Sequence, residues 1–147
     1  GQVPEGEYLI PIGVADVKRE GKDVTIVSYG KILKVALQAA EDLAKEGISA
    51  EVIDLRTVRP IDFEAIVNSV KKTNRLVIVE ETWPLASISS EISYHVQRYA
   101  FDYLDAPVMR VTSRDLPLPY APTLIEAILP NVKRTIDAVK SVMYQNK

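Results

Sequence analysis

The sequence contains no cysteine and a single histidine among 147 residues. The first absence excludes disulfides, thiolate nucleophiles and thiolate-ligated metal centres. The second removes metal sites built from several imidazoles. No apolar run approaches the ~20 residues that a membrane span requires. Basic charge is not in excess: 18 Lys and Arg face 20 Asp and Glu, a formal net charge of −2. Nucleic acid is therefore not an expected partner. Glycine is scarce, at six residues, and neither G-x-x-x-x-G-K-[ST] nor G-x-G-x-x-G occurs. The Gly30-Lys31 turn is accordingly read as a turn before it is read as a phosphate site at a helix start.

What is present suits one globular domain. Hydrophobic residues make up 47% of the chain and charged residues 26%, enough to build a core of ordinary size. Residues 1–13 carry Pro4, Gly6, Pro11 and Gly13 and read as a linker from an upstream domain. Residues 14–147 read as the domain itself. With no initiator Met, the chain is expected to be a piece of a longer protein.

The patterning alternates strands with helices. Val24–Ser28, Glu51–Leu55 and Leu76–Val79 are β-branched and apolar on both faces, as in a parallel sheet covered on both sides. Val14–Lys18 suggests a short edge strand, and Val108–Thr112 a last strand. Between them, apolar residues recur at helical spacing from Ile32 to Leu43, from Ile66 to Val70, from Ile88 to Tyr99 and from Val132 to Met143. Gly47 and Asn74 suit helix ends, and Asp62, Ser87 and Asn131 suit helix starts. Thr123-Leu124-Ile125-Glu126 matches a capping box. The expected fold is a three-layer α/β/α sandwich around a five-stranded, mostly parallel sheet with one antiparallel edge strand.

Residues with chemical potential fall in loops after strands, where α/β sheets keep their working groups. Arg56 and Arg59 can clamp a carboxylate or phosphate. Alternatively they form an internal ion-pair network with Glu80 and Glu81, which follow the next strand; this second reading is favoured. Glu80 and Glu81 are consecutive and point apart, so they make a poor catalytic dyad. His95 borders the apolar face of a helix and reads first as a hydrogen-bonded packing residue, second as a general acid or base. No G-x-S-x-G elbow supports a triad. Trp83, Pro84 and Leu85 form an apolar loop, and Leu116 to Tyr120, with Pro119 and Tyr120 at its end, forms another. Each either folds back on the sheet or meets a partner. Residue chemistry alone yields no complete active site: no catalytic, cofactor-binding or metal-binding residue is assigned.

A resemblance adds to this. The run from Ala50 to Asp62 (AEVIDLRTVRPID), together with Ser69–Leu76, Val79-Glu80-Glu81, Ser90-Glu91-Ile92, Ala100–Pro107, Arg110-Val111-Thr112 and Pro117–Ala121, resembles the C-terminal domain of transketolase-like, thiamin-diphosphate-dependent enzymes. More narrowly it resembles the beta-subunit family of the pyruvate dehydrogenase component of 2-oxo acid dehydrogenase complexes. One departure stands out: Leu85-Ala86-Ser87-Ile88-Ser89-Ser90 occupies a stretch that is Gly-rich in many relatives, which stiffens the turn.

The resemblance implies a five-stranded mixed sheet whose first strand is antiparallel. It implies that thiamin diphosphate and its divalent metal lie outside this chain, between an alpha subunit and the N-terminal domain of the beta subunit. The family's catalytic His lies in that domain too, so this chain alone is expected to be inactive. Implied partners are the alpha subunit, a second beta subunit and the dihydrolipoyl acetyltransferase core. Implied locations are the bacterial cytoplasm, the mitochondrial matrix or a plastid. The rival readings are the equivalent domain of a branched-chain 2-oxo acid dehydrogenase, a transketolase or a deoxyxylulose-phosphate synthase, and a free-standing anion-binding module using Arg56 and Arg59.

Overall fold

The computed structural model describes residues 2–144. The outer ends of the expected linker and domain, residue 1 and residues 145–147, lie outside the described residues. Five strands form one sheet: β1 (Asp16–Arg19), β2 (Val24–Ser28), β3 (Ala50–Asp54), β4 (Leu76–Val79) and β5 (Met109–Val111). Their order across the sheet is β1-β3-β2-β4-β5. β1 runs antiparallel to β3, and every other pairing is parallel. The expected edge strand is therefore present, displaced toward the C-terminus, and the sandwich is the one expected.

The helices are α1 (Leu33–Lys45), α2 (Phe63–Thr73), α3 (Ile88–Ala100), α4 (Pro122–Ile128) and α5 (Val132–Val142). Period-two alternation assigns each strand residue to one of two cores. Ile26, Val52, Val77 and Val79 face α1 and α5, meeting Ala36, Ala40, Leu43 and Val139. Val27, Ile53, Leu76 and Ile78 face α2 and α3, meeting Ile66, Val70, Ile92 and Val96. Because both faces are covered, the central strands are mostly apolar on both sides, and their few buried polar residues, Thr25, Ser28 and Glu51, are each hydrogen-bonded.

Several expected punctuation marks hold. The Asp62 carboxylate accepts the Ala65 N–H at 3.0 Å and caps α2. Its other oxygen accepts the Ala15 N–H at 2.9 Å and fastens the incoming chain. Asn74 takes the left-handed conformation that ends α2 (φ 61°), and Asn131 caps α5 by accepting the Arg134 N–H at 2.9 Å. Two expectations fail. The Thr123–Glu126 capping box does not form, because α4 starts two residues earlier than that box requires, with Ala121 rather than Thr123 at the cap position. Pro122, whose ring presets φ and whose missing N–H needs no partner, takes the first helical position instead. Ser87 precedes α3, but its hydroxyl bonds to no N–H of that helix; a residue from β4's end does this work, as described next.

Candidate functional site

The loops that follow β2, β3, β4 and β5 gather at the carboxyl edge of the sheet. The structure does not build the expected ion-pair network there. Among the described residues no ion pair joins Arg56 or Arg59 to Glu80 or Glu81. The reason is strand order. β2 lies between β3 and β4, so the two loops are separated by two strand spacings, about 10 Å. Arg56 turns the other way, to Asp16 of β1 at 2.7 Å. With Lys18 on its other side, Asp16 is held below the usual carboxylate range; the Lys18 hydrogen bond is the largest cause. Arg59 lines a groove of about 980 Å³ between the β3–α2 loop and the start of α3, beside Phe63, Ile88 and Glu91. The two arginines thus serve different neighbours and form no clamp.

Glu80 has a role that its neighbour pairing concealed. Its carboxylate is fully buried. It accepts the Tyr29 O–H at 2.9 Å and the Ser89 N–H at 3.2 Å and 3.3 Å, one distance to each oxygen. Glu80 therefore satisfies an otherwise orphaned N–H in the first turn of α3 and places negative charge at that helix's positive end. Burial pushes the Tyr29 phenol well above the ordinary tyrosine range, and the hydrogen bond to Glu80 and its charge push the same way. The clasp ties β2, β4 and α3 at one point.

A second polar cluster lies at the opposite end of the sheet, beneath α2. Glu51 of β3, 2% exposed, accepts the Ser69 hydroxyl at 2.5 Å and the Gly21 N–H at 3.3 Å, and it pairs with Lys72. Thr25 bonds to Ser69 at 2.5 Å and to Thr73 at 2.7 Å. Gly21 is required by proximity: a Cβ there would lie 2.1 Å from the Glu51 backbone nitrogen. The sequence signal for this cluster was a Glu inside a buried-type strand, which needs a paired partner.

His95 does pack, as expected, but on rings rather than through a hydrogen bond. It stacks on Phe63 at 3.8 Å between centroids and meets Tyr99 at 4.5 Å. Its pKa is lowered chiefly by burial; Glu91 opposes this and Arg98 adds to it. A folded-state pKa below the ordinary histidine value of 6.5 means that the unfolded chain binds the proton more readily. Stability from this site is then present above about pH 6.5 and lost as pH falls toward the folded value. The single imidazole makes an NMR titration unambiguous. His95 should titrate below 6.5, and His95→Gln should flatten the stability–pH curve between about pH 5 and 7. A His95 midpoint at or above 6.5 rules this out.

The surface feature of the carboxyl edge is an apolar ridge. Trp83 is 57% exposed, Leu85 83%, and Tyr120 fully exposed, with Leu116 and Leu118 also outward. The two loops expected to be lid or docking surface are joined: Trp83 Nε1 donates to the Leu116 carbonyl at 3.2 Å. Between them lies a cavity of about 350 Å³ lined by Trp83, Leu116, Leu118 and Ile128. Among the described residues no group of three or more His, Asp or Glu side chains is placed to hold a metal ion. Nor is any described helix long and apolar enough to cross a membrane.

Fold and site define a class: an α/β/α sandwich with one antiparallel edge strand, its buried carboxylates committed to the framework and an apolar ridge at the carboxyl edge of its sheet. The model of the family "Transketolase, C-terminal domain" matches residues 13–135, and the chain belongs to that family. It is 55% identical over 99% of its length to the mitochondrial pyruvate dehydrogenase E1 component subunit beta of Dictyostelium discoideum. It is 48% identical over 98% of its length to the subunit beta of Rhizobium meliloti (strain 1021). It spans only 41% and 32% of those proteins. Among solved structures, a split gene transketolase described as an inactive beta4 tetramer superposes with a TM-score of 0.82 at 28% identity, over all of this chain and 47% of that one.

Proposed function

We propose that this chain is the C-terminal domain of a pyruvate dehydrogenase beta subunit and that its work is assembly rather than turnover. The observation that carries the reading is identity of about half over nearly the whole chain with such subunits from a protist and a bacterium. The parent enzyme decarboxylates pyruvate and passes the acetyl group to lipoyl groups, using thiamin diphosphate and a divalent metal. The described residues do not fit that cofactor: they offer no metal-holding cluster and no glycine-rich phosphate cradle. The cofactor belongs with the alpha subunit and the remainder of the beta subunit. Residues 1–13 are the linker to that remainder.

The surface assigned to assembly is the ridge of Trp83, Pro84, Leu85, Pro119 and Tyr120, and its occupant is a second copy of the beta chain. Large, outward aromatic and aliphatic side chains suit a subunit contact better than open solvent. The solved relative of this fold that forms a beta4 tetramer supports a homotypic contact. The alpha subunit and the dihydrolipoyl acetyltransferase core are the other partners. The compartment follows the source, since similar proteins occur in bacteria and in mitochondria.

A domain exchange tests the proposal. Residues 14–147 replace the matching domain of the Rhizobium meliloti beta subunit, co-expressed with its alpha subunit. The chimaera should assemble and decarboxylate pyruvate. The chain alone should show no thermal shift with thiamin diphosphate and Mg²⁺, because a ligand that binds only the folded state raises the melting point. An assembled but inactive chimaera, or a clear shift on the chain alone, overturns it.

A further inference from the structure

The ridge is held in place from behind, and the hold converges on one side chain. Arg110 lies in the middle of β5, in register with Ile78. Its Nη1 donates to the Pro84 carbonyl at 3.0 Å and to the Ser90 hydroxyl at 2.6 Å, and it approaches the Ser87 hydroxyl at 3.5 Å. All three acceptors are neutral; among the described residues Arg110 has no ion pair. It thus bridges the loop that carries Trp83 and Leu85 to the helix that follows it. Two further bonds complete the staple: the Ser113 N–H donates to the Thr82 carbonyl at 2.9 Å, and Trp83 Nε1 donates to Leu116. The loop is held despite strain, since Ala86 sits at φ 54°, a left-handed conformation that costs a non-glycine residue about 1–2 kcal/mol. A strained loop fastened by several bonds keeps one shape, and a surface that keeps one shape loses little freedom when a partner covers it.

We infer that Arg110 is a positioning residue for the subunit contact: its guanidinium fixes the Thr82–Ser87 loop so that Trp83 and Leu85 meet the second copy already in their bound arrangement. This rests on the reading of the ridge as a contact between copies. Arg110 adds little to the fold itself, because its bonds are at the surface.

The chain's single tryptophan reports on the loop directly. Arg110→Met keeps the stem and removes the donors; Arg110→Lys restores an ammonium with three of them. Acrylamide quenching of Trp83 is measured in dilute monomer, and self-association by sedimentation over a concentration series. Arg110→Met should raise the quenching constant about two-fold and weaken self-association about ten-fold, the ordering cost of one or two side chains. Arg110→Lys should fall between it and the parent, and all melting temperatures should agree within about 2 °C. Unchanged quenching overturns the inference, and so does raised quenching with unchanged association. A parent chain that stays monomeric at every concentration overturns the contact reading instead, and the two failures are told apart by that control.

Discussion

Glu80→Ala should lower the unfolding free energy by about 3–5 kcal/mol, the combined cost of two buried donors left without an acceptor and of the cavity beside them. For a chain of this length that is a fall in melting temperature of about 10 °C. Three losses combine. The Ser89 N–H at the start of α3 and the Tyr29 O–H both lose their acceptor, and each unsatisfied buried donor costs about 1–3 kcal/mol. The deleted side chain, fully buried, also leaves a cavity that the two cores cannot collapse into, since α3 is fixed by Ile92 and Val96. Glu80→Gln keeps one carbonyl acceptor and should cost less, about 1–3 kcal/mol.

Tyr29→Phe should be coupled to Glu80→Ala: the double variant should lose less than the sum, by about 0.5 kcal/mol or more. The pH dependence has a definite sign. Because the folded-state phenol is raised above 10, the stability from Tyr29 is fully present below about pH 10. It is lost as pH climbs beyond that toward the folded value. Urea melts of the four proteins at pH 7, and of the parent and Tyr29→Phe from pH 7 to 11, check both statements. A Glu80→Ala variant within about 1 kcal/mol of the parent rules the clasp out as a structural anchor.

How legible the fold was follows from which signals are local. The three central strands announce themselves because each residue is covered on one face or the other, leaving runs such as Val24–Ser28 with no solvent-facing position. Asp62, Asn74 and Asn131 are legible because a cap acts within three or four residues of itself. Strand order is not local. Nothing near Arg56 says that β2 is inserted between β3 and β4, and that insertion alone separates the arginines from Glu80 and Glu81. Glu80 caps α3 from nine residues away, across a loop, while Ser87 offers the standard local signal and does not use it. Trp83 finds its acceptor 33 residues on. The apolar character of both loops was visible in sequence; their fusion into one ridge was not. The resemblance supplied what residue chemistry could not, namely the family to which these residues belong.

The cluster under α2 yields the second large effect, and its sign is set by acid. Glu51→Ala should cost about 3 kcal/mol at pH 7, the lower end for breaking a buried charged pair. The lower end applies because Lys72 is 45% exposed and also reaches Glu20 at 3.0 Å, so solvent and a second carboxylate take up its charge. The groups left short are internal: the Ser69 hydroxyl and the Gly21 N–H lose their acceptor. Burial works to raise the Glu51 carboxyl, but the hydrogen bonds from Lys72, Ser69 and Gly21 together outweigh it, and the group is held below the ordinary glutamate value of 4.5. A depressed folded-state pKa contributes stability that is complete above about pH 4.5 and drains away as pH falls through the folded value. Glu51→Gln, which cannot titrate, lacks that contribution throughout. The gap in stability between parent and Glu51→Gln should therefore be widest near pH 7 and should close below pH 4. Chemical denaturation at half-unit steps from pH 3 to 7 measures it directly. A gap that stays constant across that range would mean that the carboxylate's charge, as distinct from its shape, does nothing to hold α2 on the sheet.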